Sequence, residues 1–336
     1  MALHGVLMQR LEQGVTQAWY RGAWWLWLLW PLSLAVSWVV ARRRRRFLNA
    51  PPATLLKPVV VVGGITVGGS GKTPVILALI RALREKGKTV GVVSRGYGST
   101  GSDGPLFVTG DLSALLAGDE PLLIARMTGV PVVVDSDRRR AVEALLAQHP
   151  VDMVLSDDGL QHYSMPRSFE VIVLDAERGL GNGRLLPMGP LREPRARLKT
   201  VDWVLERNGE NPDTRFLYEV VGLRHHNTGA RLGAAEAVIA WEGRVIAAIT
   251  ALGQPEQFFN QLDSLGFTPA TCALRDHHMI RSKDLASLDA EVVIITDKDA
   301  VKLPYDSDER IWVLEINATI PGPLVDSIAS LIEAEA

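Results

Sequence analysis

Val59-Val60-Val61-Val62-Gly63-Gly64-Ile65-Thr66-Val67-Gly68-Gly69-Ser70-Gly71-Lys72-Thr73-Pro74 reads as a buried strand that runs into a glycine-rich turn and opens a helix. Glycines let backbone N–H groups wrap phosphate oxygens, and the start of a helix adds a favourable field for an anion. Residues Thr66 to Thr73 would form this cradle, with Lys72 reaching the outer phosphates and Thr73 holding Mg²⁺. Thr66 stands where the full P-loop pattern has its first Gly. Context compensates: a strand precedes, a helical apolar face follows at Val75, Ile76, Leu79, Ile80 and Leu83, and Pro74 suits a first helical turn. A nucleotide and Mg²⁺ are therefore the expected ligands.

Around the loop, short apolar runs alternate with helical stretches. Residues 59–62, 89–93, 130–134, 153–155, 171–174 and 203–205 read as strands, most of them continuously apolar, as expected where both faces of a parallel sheet are covered. The expected fold is α/β: a P-loop NTPase-like, doubly wound parallel sheet over residues 51–215. Residues 216–244 are less regular and read as an extended linker. A smaller α/β domain over 245–336 has strands near 245–249, 292–295 and 312–315 and a last helix near 324–333. Val151-Asp152-Met153-Val154-Leu155-Ser156-Asp157-Asp158-Gly159 places carboxylates at the end of a strand beside the loop, where Mg²⁺ needs oxygen ligands. Asp158 is the preferred ligand with Thr73; Glu120 and Gln161 are weaker candidates, and Asp157 is read as organising the loop.

The first fifty residues differ from the rest. They carry seven Arg and one Glu, a net of +6, while the remaining 286 carry 29 basic and 37 acidic side chains, a net of −8. Six of the nine tryptophans fall here as well. A small basic end on an acidic body is not the pattern of a nucleic-acid binder. Residues 22–41 form twenty positions without a formal charge, long enough as a helix for about 30 Å of hydrocarbon. The run Arg42 to Arg46 that follows should stay on the cytoplasmic side. Residues 1–50 thus read as a membrane anchor, against a cleaved signal peptide, whose basic segment would come first, or a core hairpin broken at Pro31. Spanning and in-plane arrangements both remain open. One cysteine, Cys272, excludes a disulfide framework and a cysteine-based metal cluster.

Further stretches carry a resemblance. After the loop come Ser94-Arg95-Gly96-Tyr97-Gly98, Gly118-Asp119-Glu120-Pro121, Asp157-Asp158-Gly159-Leu160-Gln161-His162 and Leu186-Pro187-Met188-Gly189-Pro190-Leu191-Arg192-Glu193. Asp276-His277-His278 and Thr296-Asp297-Lys298-Asp299-Ala300-Val301-Lys302 complete the series. In this order, over essentially the whole chain, they resemble the tetraacyldisaccharide 4′-kinase family of lipid A biosynthesis. The resemblance implies two α/β domains joined by a β-linker. It also implies transfer of the γ-phosphate of ATP to the 4′-hydroxyl of a tetraacylated glucosamine disaccharide 1-phosphate, a lipid substrate, at the cytoplasmic face of the bacterial inner membrane. It makes Asp119 the proposed base, His277 its partner from the second domain, and Arg192 an active-site arginine. Nothing in the sequence calls for an obligate protein partner.

Other residues have plainer readings. His278 is a surface or packing residue, His162 a hydrogen-bonding residue near the phosphates, and His225 and His226 solvated. Arg138, Arg139 and Arg140 are either a solvated face or a contact to the lipid's 1-phosphate. Asp297-Lys298-Asp299 reads as a cross-domain salt bridge. The alternative function is a membrane-tethered P-loop ATPase or GTPase switch acting on a protein partner; against it, Thr296-Asp297-Lys298-Asp299 lacks the Asn of a guanine-reading motif.

Overall fold

The computed structural model describes residues 14–53, 55–96, 104–304 and 306–334; Tyr97 and Gly98 lie outside the described residues. Its strands are β1 (Val59–Gly63), β2 (Val90–Ser94), β3 (Leu106–Phe107), β4 (Val132–Val134), β5 (Met153–Asp157), β6 (Phe169–Asp175) and β7 (Trp203–Arg207). There follow β8 (Arg215–His225), β9 (Arg231–Leu232), β10 (Ile246–Thr250), β11 (Ala270–Ala273), β12 (Val292–Thr296) and β13 (Ile311–Thr319).

Strands β7, β6, β1, β5, β2 and β4 lie side by side in that order, all parallel, with β3 antiparallel at the edge. The run of valines in β1 is buried throughout because helices cover both faces. Val60 and Val62 point into the core made with the helix Lys72–Glu85, and Val59 and Val61 into the one made with the helix Arg138–Gln148. Each such valine contributes about 1.5–3 kcal/mol of burial. The C-terminal block repeats the logic: β11, β10, β12 and β13 are parallel, with separate apolar cores on their two faces.

The segment read as an extended linker is where the two blocks meet. The first residues of β8 pair parallel with β7, Arg215 opposite Glu206 and Phe216 opposite Arg207. The rest of β8, from Leu217 to His225, runs antiparallel to β13. The register slips between Glu315 and Ile316, leaving Val221 without an opposite number and half exposed. That bulge breaks the period-2 pattern that would have marked a strand. The helix Ala234–Ala240 occupies the remainder of the segment. His226 is buried rather than solvated, its Nε2 2.8 Å from the Pro304 carbonyl; His225 Nε2 lies 2.8 Å from that of Glu309.

The N-terminal apolar stretch forms a 3₁₀ segment, Trp24–Leu29, continued by an α-helix, Trp30–Asn49. The change falls at Pro31, which has no N–H to give and sits in the first turn of the α-helix. This helix does not stand away from the body. Asn182 N–H donates to the Trp19 carbonyl, and Trp19 Nε1 donates to Pro187 O at 3.0 Å. Leu26 is buried with Trp19 and Met188, and Arg184 lies over Trp27. Midway, Ser33 Oγ donates to Leu185 O at 2.9 Å. Near its end Arg44 donates to Thr200 Oγ1, and Phe47 packs against Tyr163 and Arg167. The opposite side exposes Trp24, Trp27, Leu28, Trp30, Leu32, Leu34 and Trp38.

Candidate active site

β1 delivers the chain at Gly63 into the glycine loop, and the helix Lys72–Glu85 carries it away. The loop is fastened to the segment 190–192. Thr66 is buried and bridges to Leu191, Val67 N–H donates to Pro190 O at 2.9 Å, and Arg192 N–H donates to Ile65 O at 2.6 Å. From the C-terminal block, Gln254 Nε2 donates to Gly69 O at 2.6 Å. Gly68 (φ +96°) leaves room for the Arg178 guanidinium, which a Cβ would meet at 2.6 Å. Ser70 Oγ is buried and has no hydrogen-bond partner among the described residues, as expected of a group that awaits a ligand.

Gly71 is the helix's N-cap, in the left-handed region at φ +87°, and a Cβ there would collide with the Tyr218 hydroxyl on β8. Gly71→Ala is therefore expected to lower stability by about 1–3 kcal/mol and to weaken ATP binding as the loop shifts. Thermal melts with and without ATP check this; an unchanged ATP-induced shift would contradict it.

Asp157 ends β5, next to β1, and Asp158 directly follows it. Arg192 donates to both oxygens of Asp158, Nη1 to Oδ2 and Nη2 to Oδ1, each at 2.8 Å, and also to Gly64 O. Lys72 Nζ is 3.6 Å from Asp158 Oδ1. Burial favours the protonated form of Asp158, but Lys72 and Arg192 outweigh it and hold the carboxyl well below its ordinary range. Asp157 behaves oppositely: burial, then the charges of Glu120 and Asp158, push it up to about 7. Its Oδ2 accepts from Ser94, and its Oδ1 has no partner among the described residues. Gln161 Nε2 donates to Gly64 O at 3.2 Å, which ties it to the loop.

The helix Asp119–Thr128 follows Gly118, buries Pro121 to Ala125, and ends at Gly129 (φ +64°). It presents Asp119 and Glu120 in its first turn, where carboxylates suit the positive end. His277 Nδ1 lies 3.1 Å from Asp119 Oδ2, the distance of an N–H donated to a carboxylate. His278 turns away to Asp284, with 3.1 Å between Nε2 and Oδ2. Lys302 Nζ is 3.4 Å from Asp119 Oδ2, and Lys298 Nζ donates to Glu120 Oε1 at 3.0 Å. Burial raises the proton affinity of Asp119, yet the His277 contact and the Lys302 and Lys298 ammonium groups outweigh it, leaving the carboxyl below its usual value. Burial likewise opposes ionisation of Glu120, and Lys298 and Lys72 prevail.

Sequence reasoning did not single out Lys302, Gln254 or Arg178, and it gave Lys298 no partner. A signal for the lysines was present: Lys298 and Lys302 are four apart directly after the buried strand β12, a spacing that puts them on one helical face. The three arginines divide differently from either expectation. Arg138 is buried, with Nη2 donating to Asp157 O at 2.7 Å; Arg139 pairs with Glu143 and Arg140 with Asp135. Burial, then the charges of Arg138 and Arg95, push His162 down to about 4, so it is neutral at pH 7.

A buried parallel strand that ends in such a loop, with a carboxylate on the next strand over and a lysine between them, defines a P-loop nucleotide-binding protein. The family model described as LpxK, tetraacyldisaccharide-1-P 4'-kinase, matches residues 25–333. A tetraacyldisaccharide 4'-kinase of Alcanivorax borkumensis is 43% identical over 337 residues, spanning 96% of this chain and 98% of that protein. One from Stutzerimonas stutzeri is 47% identical over 304 residues, 87% of this chain and 88% of its own. The crystal structure of LpxK from Aquifex aeolicus in complex with ATP aligns with a TM-score of 0.76 at 26% identity, covering 92% of this chain and 99% of that one. The chain belongs to the tetraacyldisaccharide 4'-kinase family and is an ATP-binding lipid kinase.

Proposed function

We propose that the chain moves the γ-phosphate of ATP to the 4′-hydroxyl of a tetraacylated glucosamine disaccharide 1-phosphate at the cytoplasmic face of the inner membrane. The observation that carries this reading is the meeting of Asp119 with His277 at 3.1 Å, on the helix whose next residue, Glu120, lies in the field of the loop lysine Lys72. In this mechanism the loop amides and Lys72 hold the phosphates. The 4′-oxygen bonds to the γ-phosphorus as the bond to the bridging β–γ oxygen breaks, ADP leaves, and the hydroxyl proton passes to Asp119. His277 orients that carboxylate. Arriving phosphates would offer Lys72 and Arg192 new anionic partners and free the oxygens of Asp158.

Thr73 and Asp158 would then hold Mg²⁺, with Glu120 nearby and Gln161 contributing through the loop. The partnerless Asp157 Oδ1 and Ser70 Oγ suit a charged ligand here. When bound, the ion neutralises charge on the β- and γ-phosphates.

The N-terminal helix supports an in-plane anchor rather than a span. A helix held to the body at Leu26, at Ser33 and at Phe47 cannot cross a bilayer unless the body enters it too. Its exposed tryptophans and leucines would enter one leaflet, with Arg42 to Arg46 among the headgroups. Residues 51–215 and 245–336 would act as two domains that complete the site when they meet, joined through 216–244. The test is incubation in mixed micelles with γ-labelled ATP, Mg²⁺ and tetraacyldisaccharide 1-phosphate. Label in the lipid is the expected result; label released only as free phosphate, indifferent to lipid, would overturn the reading in favour of an ATPase switch.

A further inference from the structure

Asp119 meets two groups from the C-terminal block, and both close on the same oxygen. His277 Nδ1 is 3.1 Å from Oδ2 and Lys302 Nζ is 3.4 Å from it. The Lys302 side chain is wholly buried. Its ammonium also donates to the His278 carbonyl at 3.1 Å and faces Asp299 Oδ1 at 3.4 Å. Asp299 is itself immobilised: Thr250 and Thr296 hydroxyls donate to its Oδ2 at 2.7 and 2.8 Å, and the Ala251 N–H donates to Oδ1 at 3.2 Å. The Ala251 carbonyl in turn accepts the His277 N–H at 3.2 Å. Both groups on Asp119 are thus referenced to one buried carboxylate, Lys302 directly and His277 through Ala251.

Stability alone is a poor account of this lysine, because a buried ion pair is often no better than apolar packing of the same volume. We propose that Lys302 is a positioning residue for phosphoryl transfer: it holds Asp119 by Oδ2 and so leaves Oδ1 to meet the acceptor hydroxyl. The proposal rests on the reading of Asp119 as the group that takes the acceptor's proton. Lys302 acts only through that carboxylate and has no part in holding ATP.

The experiment is a double-mutant cycle on the full-length enzyme with ATP and lipid acceptor. Lys302→Met is expected to lower kcat about 10- to 100-fold with the KM for ATP nearly unchanged, the worth of one hydrogen bond to a charged group. Lys302→Arg should recover part of the loss. In an Asp119→Asn background, Lys302→Met should change kcat by no more than about twofold, since its target is gone. Equal slowing in both backgrounds, or a change confined to KM, would overturn the proposal. A normal Lys302→Met beside a slow Asp119→Asn would overturn it while sparing the reading of Asp119; a normal Asp119→Asn would overturn both. Lys302→Gln keeps a donor without the charge and replaces the Met variant if that does not fold. If neither folds, the lysine is a folding requirement and the proposal fails.

Discussion

Asp119→Ala is expected to cut turnover by roughly 100- to 10,000-fold while ATP affinity changes little. Among the described residues the carboxylate pairs with His277 and Lys302 of the C-terminal block rather than with the phosphate loop, so its removal should leave the nucleotide site in place. A loose phosphoryl-transfer transition state asks little of a base, which sets the loss nearer the lower end of that range. Lys302 would not be stranded, because Asp299 remains 3.4 Å from it. The check is steady-state kinetics with lipid acceptor beside calorimetric titration of ATP. Strongly weakened ATP binding with normal turnover at saturation would contradict the assignment.

Lys72→Ala should be as damaging by a different route. Lys72 is largely buried at the first position of its helix, where its ammonium can follow charge on the transferring phosphates. Removing one preorganised stabiliser of that kind costs about 100- to 1,000-fold in rate. The fold should survive, since Asp158 keeps its paired contact with Arg192. Lys72→Arg should not restore the rate: a planar fork does not fit where a compact ammonium does. Label transfer to lipid, measured on protein whose melting is unchanged, decides the matter. A rate above about a tenth of the parent's would contradict the role.

The parallel sheet around β1 was legible because continuous apolar runs have one physical cause, helices on both faces. The glycine loop was legible for a similar reason, since few other sequences turn so tightly between strand and helix. β8 was not legible. Its alternation of Arg215, Leu217, Glu219 and Val221 against Phe216, Val220 and Leu223 mixes two partners, β7 and β13, and is interrupted by the bulge. Arg138 shows another limit: nothing in Arg138-Arg139-Arg140 marks which arginine turns inward to the end of β5. Lys302 falls in the same class. Its meaning depends on Asp119, 183 positions earlier, and on a meeting of two blocks that local pattern does not encode.

A helix that lies along its own body fixes how substrate is counted. Held near its start, in the middle and near its end, it would, in the in-plane arrangement proposed above, keep the site at a constant height over the leaflet, and encounters with a lipid acceptor would become collisions in a plane. The governing quantity is then the acceptor's mole fraction in the surface. Diluting the acceptor with inert lipid at fixed bulk concentration should slow the enzyme, whereas adding more surface of the same composition should not.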